Sequence, residues 1–200
     1  MPPWQTRLWE KRINLISPHS LLLFPTLFQY LRLWTVLIGV LVFDQWSKAW
    51  VVNNALELRR NPIVVIDGLE GPQALLEFTY ITNPGAAWSL FSDYPEALTL
   101  LAMVALLSIF FFRKQLELHR HSLQLIFGSI CGGIAGNLGD RLFREPAEVV
   151  DFIDVFLPLV EYDYPIFNVA DSAIFIGAFS YLFIGFLDSK KLKASNQLTG

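Results

Sequence analysis

Two hundred residues with 54% hydrophobic side chains and only 16% charged ones exceed the apolar share of a soluble domain, roughly 45–50%, so the chain reads as a membrane protein. A formal net charge of −3, with no basic stripe or aromatic-interleaved patch, excludes a nucleic-acid surface. The single cysteine, Cys131, excludes an intrachain disulfide and a cysteine-held metal cluster, and His19, His119 and His121 match no zinc-ligand spacing.

In chain order, residues 1–30 read as an amino-terminal extension. Pro18 and Pro25 break its apolar part, while Trp4 and Trp9 among Arg7, Lys11 and Arg12 suit an interfacial cytoplasmic segment. Four windows then approach the roughly 20 apolar residues that cross a bilayer as a helix: Leu31 to Val52, Pro95 to Phe112, Ser122 to Asp140 and Asn168 to Leu187. Between the first two, Asn61 to Gly68 and Leu75 to Thr82 are bounded by turn residues and read as short strands. The expected fold class is an all-α membrane protein of four transmembrane helices with a small extracytoplasmic β layer. Residues 31–187 form one domain, with outer segments at about 53–94 and 141–167 and a basic cytoplasmic tail at 188–200.

Orientation follows from the short loops. Arg7, Lys11, Arg12 and Arg32 precede the first window, Arg113, Lys114 and Arg120 separate the second from the third, and Lys190, Lys191 and Lys193 follow the fourth. The positive-inside rule makes these regions cytoplasmic, with both termini inside and the other two connections facing outward.

Five polar islands fall at that outer boundary. Ionisable groups beside spanning helices are costly and usually functional, so their convergence points to one site. Asp44 and Lys48, four apart, share a helical face and make either a structural ion pair or part of the site. Asn83, Gly85 and their small neighbours suit a tight turn that a ligand can approach, or simply a turn beside an interfacial Trp88. Gly128, Gly132 and Gly136 permit close helix packing along a row that continues to Asp140, with Asn137 and Arg141 beside it. Asp151 and Asp154 interrupt an apolar run of an outer loop, where partial desolvation favours the protonated acid. Asn168 and Asp171 read as a helix cap and its third-position acid, and a helix start favours an ionised carboxylate. If Asp171 faces Asp151, the two could share a proton and activate water. A small proton-coupled transporter or a noncatalytic scaffold are the rival readings. The first predicts polar groups spread through the bilayer depth, and the second leaves the outer carboxylates unexplained.

The motifs Asp44-Gln45-x-Ser47-Lys48, Asn83-x-Gly85-Ala86-Ala87-Trp88-Ser89, Gly136-Asn137-x-x-Asp140-Arg141, Val150-Asp151-Phe152-Ile153-Asp154 and Phe167-Asn168-x-Ala170-Asp171 stand in an order that resembles the bacterial lipoprotein signal peptidase (type II signal peptidase) family. The resemblance covers about Asp44 to Ala178. It implies an aspartic endopeptidase of the bacterial inner membrane with catalytic Asp151 and Asp171. Asp44, Lys48, Asn83, Gly85, Asn137, Asp140, Arg141 and Asn168 would support the site or contact substrate. It further implies no metal and no organic cofactor, a diacylglyceryl-modified prolipoprotein as substrate within membrane lipids, and activity as a monomer.

Overall fold

The computed structural model describes residues 28–68, 73–86 and 90–198, with side chains as far as Lys190. The interfacial segment with Trp4 and Trp9, residues Trp88 and Ser89, and the side chains of Lys191 and Lys193 lie outside the described residues. The account below concerns the compact unit that begins at Arg32.

The described chain is mostly helical, with one antiparallel sheet. In order it forms α1 (Leu31–Asn53), α2 (Ala55–Arg60), β1 (Ile63–Ile66), β2 (Leu76–Asn83), α3 (Pro95–Phe111), α4 (His121–Phe143), β3 (Val149–Leu157), β4 (Tyr162–Phe167) and α5 (Val169–Leu198). Of these, α1 and the Val169–Lys190 part of α5 are long and apolar enough to cross a membrane, and α3 is a shorter apolar helix. Pro95 starts α3, where its missing N–H costs nothing. Large apolar side chains such as Trp46, Leu101, Phe111, Phe179 and Leu182 are exposed along the three, as lipid-facing helices require.

Glycines decide how the helices meet. A Cβ on Gly128 or Gly132 of α4 would come within 2.8 Å of the Leu33 or Leu37 carbonyl oxygen of α1. On Gly133 it would strike the Ala170 carbonyl of α5, and on Gly136 the Asp44 carboxylate. Helix α4 is thus wedged between α1 and α5 with backbones in near contact, the packing its small-residue row allows.

The two strands expected before α3 form as β1 and β2. The Val149–Phe156 segment, expected as an outer loop, is instead strand β3, and β4 follows it; α2 was also not foreseen. The four strands pair in the order β1-β2-β3-β4, all antiparallel, so the connection between α1 and α3 and the one between α4 and α5 build one sheet. The physical reason lies in Val149, Val150, Ile153 and Val155, β-branched residues that suit a pleated surface once β2 supplies the partner edge. Val51 of α1, Leu58 of α2 and Val150 and Phe152 of β3 form a buried cluster that seats the sheet on the helix ends. Phe78 meets Phe152 edge to face at 6.0 Å. This seat brings β3 beside the start of α5.

Candidate active site

Helix α5 starts with a reciprocal capping box. Asn168 Oδ1 accepts the Asp171 N–H at 2.9 Å, and Asp171 Oδ2 accepts the Asn168 N–H at 3.3 Å. The capping residue is fully buried, and its side-chain amide also reaches across to β3. Asn168 Nδ2 donates to Asp151 Oδ1 at 2.6 Å and to Asn137 Oδ1 at 3.2 Å. Asn137 Nδ2 in turn donates to Asp171 Oδ1 at 2.7 Å. The far oxygen of Asp151 accepts Asn83 Nδ2 at 3.1 Å, from the end of β2. Two asparagines therefore link the two carboxylates, and a third holds Asp151 from the opposite side.

Asp151 and Asp171 line a cleft of about 730 Å³ together with Asn83, Gly85, Asn137 and Arg141. Its remaining wall is largely apolar, from Tyr164 and Phe167 of β4 and Ile174, Phe175 and Ile176 of α5. Arg141 crosses the rim, donating from Nη2 to the Gly85 carbonyl at 2.8 Å. Burial, and then the neighbouring charge of Asp171, push the Asp151 carboxyl up to about 7 against the pull of Asn83 and Asn168. Asp154, the other acid of that strand, is not on the cleft; it stands opposite Glu77 in the β2–β3 register.

Asp44, Lys48 and Asp140 are fully buried behind this wall and do not line the cleft. Lys48 Nζ lies 2.9 Å from Asp44 Oδ2, 2.8 Å from Asp140 Oδ2 and 2.8 Å from Asn137 Oδ1, so all three of its protons have acceptors. The remaining acceptor capacity ties down backbone: Asp44 Oδ1 takes the Ala170 N–H at 2.9 Å, and Asp140 Oδ2 the Val150 N–H at 3.3 Å. Each is the peptide N–H just before one of the two cleft aspartates. The structural and functional readings of the Asp44–Lys48 pair thus merge, because the pair is buried and touches the site only through its neighbours.

Two residues to which the sequence reading gave no role belong to this cluster. Arg144 Nε meets Asp140 Oδ1 at 2.6 Å, a pair whose i,i+4 spacing was readable. Gln45 Nε2 donates to the Gly136 carbonyl at 3.0 Å and to Asp140 Oδ1 at 3.1 Å, contacts that no local spacing announces. Among the described residues no group of histidine, cysteine or carboxylate side chains is arranged to hold a metal ion.

The family model described as Signal peptidase (SPase) II matches residues 36–187, three-quarters of the chain and every residue of this cleft. Two solved structures of bacterial membrane enzymes, determined by the in meso method, are similar in fold. One is 27% identical, with a TM-score of 0.64, over 80% of this chain and 89% of that one. The other is 28% identical, with a TM-score of 0.58, over 76% of this chain and 90% of that one. With an apolar-walled cleft holding two carboxylates at the ends of membrane helices, and a family match along the whole helical unit, the chain belongs to the signal peptidase II family: it is a membrane aspartic endopeptidase that removes the signal peptide of prolipoproteins on the amino-terminal side of the diacylglyceryl-modified cysteine.

Proposed function

We propose that Asp151 and Asp171 are the catalytic dyad of this peptidase. The observation that carries the reading is that both carboxylates open on one cleft while every amide around them turns its NH₂ group toward them. Charge supports it too. Lys48, Arg141 and Arg144 offset three of the four carboxylates Asp44, Asp140, Asp151 and Asp171, so one shared proton leaves the buried cluster neutral.

The ionised member takes a proton from a water in the cleft as that water attacks the scissile carbonyl, and the protonated member gives its proton to the developing oxyanion. One hydroxyl of the tetrahedral intermediate then returns its proton to the ionised acid as the C–N bond breaks, and the amine of the cysteine takes up the proton of the other acid. The singly protonated dyad is thereby restored, and the new carboxyl end remains with the signal peptide. Asn83, Gly85 and Arg141 on the cleft wall fix the peptide and headgroup region by hydrogen bonds, while Asn137 and Asn168, whose side chains are taken up by Lys48 and the two carboxylates, hold the dyad in place. The α5 side of the cleft, with Phe175, Ile176 and Ala178, takes apolar signal-peptide residues and acyl chains.

The spans are four, α1, α3, α4 and α5, of which α3 lends no residue to the cleft. At a rise of 1.5 Å per residue α3 is roughly 25 Å long, short for a roughly 30 Å hydrocarbon core but within reach of local bilayer thinning. Arg113, Lys114 and Arg120 precede α4, whereas Asn137, Asp140 and Arg141 lie in its last two turns, so the cleft faces outward when the basic loop is cytoplasmic. Both termini are then cytoplasmic, residues 1–30 and the 188–200 tail flank the 31–187 peptidase domain, and a single chain holds every group the reaction uses.

The test is gel-shift cleavage of a diacylglyceryl-modified prolipoprotein and its unlipidated precursor by the purified protein in detergent. Cleavage of the lipidated form alone, lost in Asp151→Asn and in Asp171→Asn, is expected. Near wild-type turnover by a folded Asp171→Asn enzyme removes the dyad assignment.

A further inference from the structure

Asp151 receives two side-chain amides, from Asn83 and Asn168, and Asp171 receives one, from Asn137, with the backbone N–H of Asn168; what stands behind those side-chain amides differs. Lys48 Nζ can only donate, so the Asn137 carbonyl must face it and the Asn137 NH₂ must face Asp171 Oδ1. Behind the Asn168 amide that serves Asp151 is only the backbone N–H of Asp171 on Asn168 Oδ1. Behind the Asn83 amide is only the backbone N–H of Gly85, donating to Asn83 Oδ1 at 2.9 Å. One aspartate is thus held by an amide that an ammonium polarises and locks, and the other by amides locked through neutral peptide groups. An amide locked with its NH₂ toward a carboxyl favours the ionised form. Without Lys48 the Asn137 oxygen keeps only the neutral Asn168 NH₂, at 3.2 Å, so the Asn137 amide is less polarised and less firmly held, and turning its oxygen toward Asp171, which only a protonated Asp171 accommodates, costs less.

We propose that Lys48 is a positioning residue that acts through Asn137 to keep Asp171 ionised, leaving the shared dyad proton on Asp151. The inference rests on the dyad reading above and adds which acid is base and which is donor. Of the other charged groups around Asp171 only Arg141 leans the same way, its charge falling on both aspartates and more strongly on Asp171. Asp44 and Asp140 are occupied with Lys48, Arg144 with Asp140, and Arg141 lies at the Gly85 carbonyl on the cleft rim shared by both aspartates. The elevated Asp151 carboxyl agrees with its carrying the proton near neutrality.

The experiment measures kcat and KM against pH for the purified full chain with lipidated prolipoprotein. It compares wild type with Lys48→Met and with the double variant Asp44→Asn/Lys48→Met, which removes one charge of each sign and so preserves the net charge of the cluster. The expected result is kcat lower by about 10–100-fold, KM within about twofold, and the acidic limb of kcat/KM displaced upward by about one pH unit or more. A double variant with the wild-type pH profile overturns the proposal. Infrared titration of the dyad variants tests it without any change at Lys48: the carboxyl left in Asp171→Asn keeps its proton to a higher pH than the carboxyl left in Asp151→Asn, and equal or reversed midpoints overturn it. Failure of the dyad itself looks different, because Asp171→Asn would then still cleave.

Discussion

Asp151→Asn should make the protein more stable at alkaline pH while removing its activity. Asp151 is 2% exposed, and its carboxyl titrates at about 7 instead of the ordinary 3.8. Because the folded-state value is raised, the folded chain holds the proton between these limits while the unfolded chain has lost it. Stability therefore falls as pH rises from about 4 to about 7, and the full penalty is present above that window. The gap, at about 1.4 kcal/mol for each pH unit, gives about 4 kcal/mol. An asparagine escapes that penalty but turns its own NH₂ toward either the Asn83 or the Asn168 amide, a mismatch of about 1–2 kcal/mol. The net expectation at about pH 8 is a gain of about 2 kcal/mol, or about 4–8 °C in melting temperature for a chain of this size. At about pH 4 the sign reverses, and the variant melts below wild type. Thermal melting in detergent at the two pH values measures this, and a difference that does not change with pH refutes the reasoning.

Gly132→Ala places a methyl group 2.8 Å from both the Leu37 carbonyl oxygen and Val40 Cβ of α1, so the helices must separate; a loss of about 1–3 kcal/mol in melting experiments is expected. Gly139→Ala on the same helix meets nothing nearer than Gln45 at 3.8 Å and should stay within about 0.5 kcal/mol of wild type, so equal losses at the two positions would contradict the packing argument. Glu77 stands directly opposite Asp154 between β2 and β3, and burial together with neighbouring carboxylates raises both carboxyls. Glu77→Gln should therefore stabilise the fold by about 0.2–1 kcal/mol above the carboxylate range and lose that advantage at about pH 4, as melting at the two pH values would register.

The sequence by itself determined the features that depend on local pattern. Apolar runs near bilayer length became helices whose described ends fall close to the expected ones, because hydropathy and helix propensity act over neighbouring residues. The last of them continues to Leu198. The Asn168–Asp171 cap was legible for the same reason, being a contact between residues three apart. The glycine row on α4 announced close packing, although not that one side meets α1 and the other α5. Five polar islands were visible as exceptions to hydropathy, and an island is a one-dimensional fact.

Only the tertiary structure decided which partners each island meets. Register across the sheet is non-local, so the pairing of β2 with β3 that brings Asn83 to Asp151 could not be read from either segment alone. Burial is non-local too. Along the chain Asp44, Asp140, Asp151 and Asp171 are told apart only by local pattern and by the family resemblance, neither of which gives their burial or partners. Yet helix packing places the first two around Lys48, where they hold the Ala170 and Val150 N–H groups, and opens the other two on the cleft. The physical reason is the cost of burying charge. Each carboxylate removed from water needs donors from distant parts of the chain, and which donors arrive depends on how α1, α4, β3 and α5 meet in space.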